Sequence, residues 1–175
     1  VANSESIENR VAEHTIDIGL IEAPAKLGGL TSQICCEDEL RVICAPDYPL
    51  AEMKSITPKA LTEYEFISRE PGSGTREITD AYFRSHHVAP DSLKMQMELG
   101  SPEALKGVVS TGLGFAIVSR AVVEKELQLG ELVSIPLKPP LTRSLYLVFP
   151  QDRFQSRLSA TFIEFAKSKL KEMGL

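Results

Sequence analysis

Two short stretches of the 175-residue chain combine glycines, hydroxyls and the start of a helix: Gly72-Ser73-Gly74-Thr75 and Gly100-Ser101-Pro102-Glu103. Open backbone N–H groups at such a start, backed by the positive end of the helix dipole, form a general receptor for small anions. Plain capping of the helix by Ser73, Thr75 or Ser101 accounts for any one of these residues equally well. The pair is more informative than either member, because both follow predicted strands, and ligands gather at the carboxyl ends of strands in open α/β sheets. Glu103 falls in the first turn of its helix and weakens the pull on an anion. A mixed polar and anionic site is therefore as well supported as a purely anionic one.

Residues for catalysis are harder to assemble. Ser73 lies between glycines but outside the G-x-S-x-G pattern that presents a serine nucleophile. His14, His86 and His87 lack the i, i+4 spacing of helical metal ligands, and solvated histidines explain them. Gly72 to Arg76 lacks the Lys-Ser/Thr of a phosphate-binding P-loop. In Thr111-Gly112-Leu113-Gly114, Ile117 stands where a dinucleotide loop needs its third glycine, and these glycines end a helix, so capping and tight packing account for them. Cys35, Cys36 and Cys44 have no C-x-x-C spacing and read as buried free thiols, with the adjacent pair on opposite faces of a strand. No catalytic set, metal site or cofactor loop emerges.

The elements that must position the two glycine turns alternate. A first helix capped by Ser4, with Ile7, Val11 and Ala12 on one face, feeds a strand over 15–21. Leu30–Glu37 and Glu39–Ala45 read as two strands separated by Glu37-Asp38-Glu39, and Pro46-Asp47-Tyr48-Pro49 breaks the run. Thr57-Pro58 starts a short helix. A strand over 65–68 leads into the helix opened by 72–75, with Ile78, Ala81, Tyr82 and Ser85 on one face. The alternating Met95, Met97 and Leu99 form the next strand. Ser101-Pro102 starts a helix carrying Leu105, Val108 and Val109 and ended by Gly112; 115–118 is a strand, and Ser119 caps a helix ending near Gly130. Strands over 132–135 and 144–149 flank Lys138-Pro139-Pro140. A last helix from about Ser156 turns Leu158, Phe162, Phe165, Ala166 and Leu170 inward. This alternation predicts an α/β fold with largely parallel pairing, in two lobes.

The totals fit one domain or two small lobes: 43% hydrophobic residues are enough for a core. A net charge of -5 opposes contact with a phosphate backbone. No apolar run is long enough to cross a membrane, and Val1 to Ser6 lack a signal-peptide layout, so a cytoplasmic protein is expected. With Val1 in place of Met and a helix beginning at once, a fragment of a larger chain is expected.

The chain also resembles a known family. Asn3-Ser4-Glu5-Ser6-Ile7 and Ile16-Asp17-Ile18-Gly19-Leu20, then Arg41 to Leu50 with Tyr48 in place of a usual histidine, are similar to LysR-type regulator effector domains. So are Arg69-Glu70-Pro71-Gly72-Ser73-Gly74-Thr75-Arg76 and the stretch from Glu98 through Gly112-Leu113-Gly114 to Ser119-Arg120. The resemblance covers nearly the whole chain and implies two Rossmann-like lobes joined by crossover strands, like type II periplasmic binding proteins. Residues 1–66 with 141–175 would form one lobe, incomplete at its amino end, and 67–140 the other.

The resemblance further implies a small polar or anionic effector between the lobes, held by Ser68, Gly72, Ser73, Gly74, Thr75, Gly100 and Ser101 on one side and Glu22 and Ala23 on the other. No cofactor or metal is implied. The implied protein is a homodimer or tetramer, touching DNA only through a helix-turn-helix outside this chain. A solute-binding protein of a transporter is the alternative, and an enzyme the least supported reading.

Overall fold

The computed structural model describes residues 2–151 and 157–172, with side chains as far as Lys169. Val1, the expected helix start at Ser156 and the side chain of Leu170 lie outside the described residues. The chain divides into two compact units, Val1–Asp38 with Arg143–Leu175, and Glu39–Thr142. Residues 39–66 thus group with the middle of the chain.

In the first unit, α1 (Ser4–Ala12) leads to β1 (Gly19–Ile21). Its cap is Asn3 rather than the expected Ser4: the Asn3 side chain accepts from Ser6 N–H at 2.9 Å, while Ser4 Oγ accepts from Glu22 N–H at 3.4 Å. Val11 is buried and Ile7 partly so, whereas Ala12 is exposed. Glu8 is buried as well, because its carboxylate accepts from the N–H groups of Lys26 and Leu27 at 2.8 and 3.4 Å. The strand expected over 15–21 shortens to three residues. It pairs antiparallel with β7 (Leu141–Pro150), Leu20 opposite Leu147. Val11, Ile21 and Val148 form this unit's core.

The two strands expected on either side of Glu37-Asp38-Glu39 are one, β2 (Leu30–Cys44). Charge in a strand interrupts pairing only when it must be buried unmatched, and Asp38, buried on β2, is paired with Arg143 of β7. The order β1-β7-β2 follows in the sheet. The closing helix α6 (Arg157–Glu172) departs from expectation more sharply: Ile163 is buried and Ala166 partly so, but Leu158, Phe162 and Phe165 are exposed, Leu158 to 80%.

In the second unit, the later half of β2 pairs antiparallel with β5 (Ala116–Ser119) and β6 (Val133–Ile135), Val42 lying between Ile117 and Ile135. The pairing expected to be largely parallel is thus mostly antiparallel where β2 and β7 take part. The parallel pair is β3 (Glu65–Arg69) with β4 (Lys94–Leu99). Phe115 extends it: Phe115 N–H donates to Glu65 O at 2.9 Å and Ile67 N–H to Phe115 O at 2.8 Å. α2 (Pro58–Leu61) is capped by Thr57, whose hydroxyl accepts from Ala60 N–H at 3.3 Å.

α3 (Gly74–Ser85) buries Thr75, Thr79, Tyr82 and Phe83, while Ala81 and Ser85, expected inside, are exposed because the buried stripe runs through 79, 82 and 83. α4 (Pro102–Val109) buries Leu105 and Val109. Ser119 caps a short 3₁₀ turn, and α5 (Glu124–Leu129) ends on Gly130 in the left-handed conformation. Phe66, Phe83 and Phe115 centre the larger core, with Leu40, Val42, Leu50 and Leu61 around them. Ile43, Ile67, Leu105 and Val118 lead a second cluster.

Of the two glycines of 112–114, expected to cap α4 and to pack tightly, Gly112 follows the actual cap, Ser110, by two residues and turns the chain, and Gly114 is the close-packing site. Gly112 has φ +80°, and a Cβ on Gly114 would lie 2.5 Å from the backbone oxygen of Glu65. That contact is what lets Phe115 pair with β3.

Candidate functional site

Parallel pairing of β3 with β4 places Ser68 opposite Glu98 and Arg69 opposite Leu99. The residues that follow each strand therefore emerge at one edge of the second unit: the turn into α3 after Arg69, and Gly100-Ser101 after Leu99. A Cβ on Gly100 would lie 3.9 Å from Cδ of Glu70, which fixes the proximity of the two turns. Gly72 turns the chain with φ +83°, a conformation that suits glycine.

The two helix starts are capped differently. Ser101 is exposed and caps α4, its Oγ accepting from Ala104 N–H at 3.4 Å. Ser73 occupies the cap position of α3 but makes no capping hydrogen bond, and its Oγ, in a residue only 1% exposed, has no hydrogen-bond partner. A buried hydroxyl left unpaired costs about 1–3 kcal/mol, so its retention at a helix start is informative. Thr75 and Ser68 are buried beside it in sequence, Thr75 in the first turn of α3 and Ser68 within β3.

Charged groups around these turns are already matched. Arg69 makes a two-pronged pair with Glu70, at 2.8 and 3.1 Å. Arg76 pairs with Glu98 and donates to Arg69 O at 3.1 Å. With both guanidinium groups engaged, the attraction for an anion rests on backbone N–H groups and hydroxyls. Glu103, expected to oppose an anion at α4, is itself 3.0 Å from Lys106. The Lys106 ammonium is buried, which lowers its proton affinity, but the carboxylates of Glu126 and Glu103 outweigh burial and hold it above the usual lysine range.

The Arg76–Glu98 and Arg69–Glu70 pairs escaped sequence reasoning. Their signal is register: once Ser68 is set opposite Glu98, an arginine in the first turn of α3 reaches that carboxylate.

Glu22 and Ala23, just past β1, belong to the first unit. The Glu22 carboxylate pairs with Arg143 at 3.0 Å. His14 and His87 are exposed, and His86 Nδ1 lies 2.8 Å from Tyr82 O. Among the described residues no group of three metal-ligating side chains could hold an ion. The arrangement at the starts of α3 and α4 suits binding: hydroxyls and N–H groups are at hand, and none of the three histidines is on either turn.

Residues 1–171 match the family model described as the LysR substrate binding domain. The chain is 39% identical over 167 residues to the uncharacterized HTH-type transcriptional regulator YeiE of Escherichia coli, covering 94% of this chain and 55% of that protein. It is 33% identical over 166 residues to the RuBisCO operon transcriptional regulator of Acidithiobacillus ferrooxidans, covering 94% and 53%. It thus spans about half the length of these regulators.

Among solved structures, the Synechocystis PCC6803 CcmR regulatory domain in complex with 2-PG superimposes with a TM-score of 0.87 at 30% identity, covering 98% of this chain and 81% of that one. The effector binding domain of QuiR in complex with shikimate gives 0.86 at 22% identity, covering 99% and 80%, and shares the fold. The mixed α/β architecture is that of type II periplasmic binding proteins. The chain belongs to the LysR family of transcriptional regulators and is its effector-binding domain.

Proposed function

We propose that this domain binds a small polar or anionic metabolite at the paired starts of α3 and α4. Ser68, the Gly72–Thr75 turn, Gly100 and Ser101 would hold it. The observation that carries this reading is the Ser73 hydroxyl, buried and unpartnered at a helix start. The capture of 2-PG by the CcmR relative at 30% identity supports a small ligand.

Binding rather than turnover is the role, in a cytoplasmic regulator that works as a homodimer or tetramer. A DNA-binding region elsewhere in the full-length protein would read the ligand's effect. A ligand shifts such a system only by its differential affinity for two states.

Thermal shift with 2-PG, shikimate and sulfate tests the reading. Saturation at about 100 times Kd adds roughly 2.7 kcal/mol, on the order of 5–10 °C in Tm for a domain of this size. Ser73→Ala and Thr75→Ala should each erase the rise. A rise that persists in both variants would move the ligand elsewhere, and no rise with any of the three would count against a small anionic effector.

A further inference from the structure

All three cysteines are free thiols. Cys44 is buried, and burial pushes its thiol up to about 11. The pair on β2 is different. Neighbours on an ideal strand point to opposite faces, yet the sulfurs of Cys35 and Cys36 lie 3.7 Å apart.

Their environments differ as well. Cys36 is buried and Cys35 half-buried. Cys35 donates its S–H to Leu145 O at 3.3 Å, so in the 3.7 Å contact Cys36 is the donor and the Cys35 sulfur the acceptor. Cys35, half-buried where Cys36 is buried, is the more open of the two to a dissolved oxidant.

We propose that Cys35 and Cys36 form a site of reversible oxidation, closed to a disulfide between neighbours by a hydroperoxide. The Cys35 thiolate attacks one peroxide oxygen; an S–O bond forms, the O–O bond breaks, and the other oxygen leaves as an alcohol, or as water from hydrogen peroxide. The Cys36 sulfur then attacks the Cys35 sulfenic acid, forming the S–S bond and breaking S–O, and water leaves with the Cys36 proton. Two thiols are oxidised and one peroxide is reduced.

The product would be easily reversed. Disulfides ordinarily join residues whose Cα atoms are about 4.4–6.8 Å apart, whereas consecutive Cα atoms are about 3.8 Å apart. The backbone between Cys35 and Cys36 must therefore twist out of strand geometry, and strained disulfides are the more readily reduced ones. That twist lies two residues before Asp38 on the same buried face of β2, and Asp38 holds Arg143, which in turn holds Glu22. Oxidation would thus strain this three-residue ion network.

The test is thiol counting on the reduced 175-residue chain before and after a small molar excess of hydrogen peroxide. Alkylation under denaturing conditions should fall from three cysteines to one, the intact mass should drop by two hydrogens, and peptide mapping should join Cys35 to Cys36. Dithiothreitol should restore all three. Cys35→Ser and Cys36→Ser should each abolish the two-hydrogen mass loss and the joined peptide, and in Cys36→Ser a sulfenic acid should be trapped by dimedone at Cys35. A bridge to Cys44, a bridge between chains, or a wild-type Cys35 that proceeds to sulfinic acid while Cys36 stays alkylatable would overturn the proposal.

Discussion

Asp38 and Arg143 stand where the chain leaves and re-enters the first unit, and their side chains meet at 2.8 Å while only 3% and 5% exposed. Removing one partner of a buried pair leaves an uncompensated charge and typically costs about 3–5 kcal/mol. Asp38→Ala should lower stability by about that much in chemical denaturation, and Asp38→Asn by less, since the amide still accepts a hydrogen bond. If Asp38→Ala costs under about 1 kcal/mol, the pair is not what keeps β2 continuous through its acidic stretch.

Ser73→Ala should behave unlike an ordinary loss of a helix cap. Such a loss costs about 0.5–2 kcal/mol, but Ser73 makes no capping hydrogen bond and its hydroxyl is buried without a partner. The unliganded variant should therefore equal or exceed the wild type in Tm, while losing the ligand-induced rise. A drop in Tm without ligand would show that the hydroxyl serves the fold.

Stability should respond to pH through two carboxylates of opposite sign. Glu126 is held below the usual range chiefly by its hydrogen bond from Lys106, so its contribution is present above the unfolded pKa and is lost as pH falls through the folded one. Asp80 is pushed above the usual range by burial, against the opposing pull of Arg76 and Arg84. Its raised pKa favours the fold at acid pH, a contribution lost as pH rises through the folded value. Asp80→Asn should therefore raise Tm at pH 7 and change it little at pH 4, whereas Glu126→Gln should lower Tm at pH 7 and converge on the wild type in acid. Melting curves across that range would check both signs.

Gly114→Ala should cost about 1–3 kcal/mol or more, because the new methyl meets the Glu65 carbonyl rather than a flexible side chain. Gly28→Ala, where nothing lies within 4 Å, is the control. Equal Tm values for the two would mean that β3 can give way.

Much of this arrangement was legible in the chain because local signals agreed. Thr57-Pro58, Ser101-Pro102 and Gly130 mark helix ends that the structure keeps, and the glycine turn at 72–75 opens α3 as expected. What failed depended on partners distant in sequence. Asp38 looked like a strand breaker until Arg143, more than a hundred residues later, neutralised it. Ser4 and Asn3 are both competent caps, and the choice was made by Glu22 N–H, which Ser4 accepts from. Leu158, Phe162 and Phe165 have the spacing of an inward stripe, yet periodicity alone does not say which face meets the core; here that face includes Ile163. At the candidate site, glycines and hydroxyls were readable, but the Arg76–Glu98 pair required the β3–β4 register.

The double pairing of β2 has a kinetic consequence. Val42 and Ile43 are fully buried and lie between β5 on one side and β6 on the other. Backbone amides in such a position exchange their hydrogens for deuterium only when the surrounding unit opens as a whole. Their exchange rates should be the slowest clock in the molecule, and one that a spectrometer can read residue by residue without knowing what the domain binds.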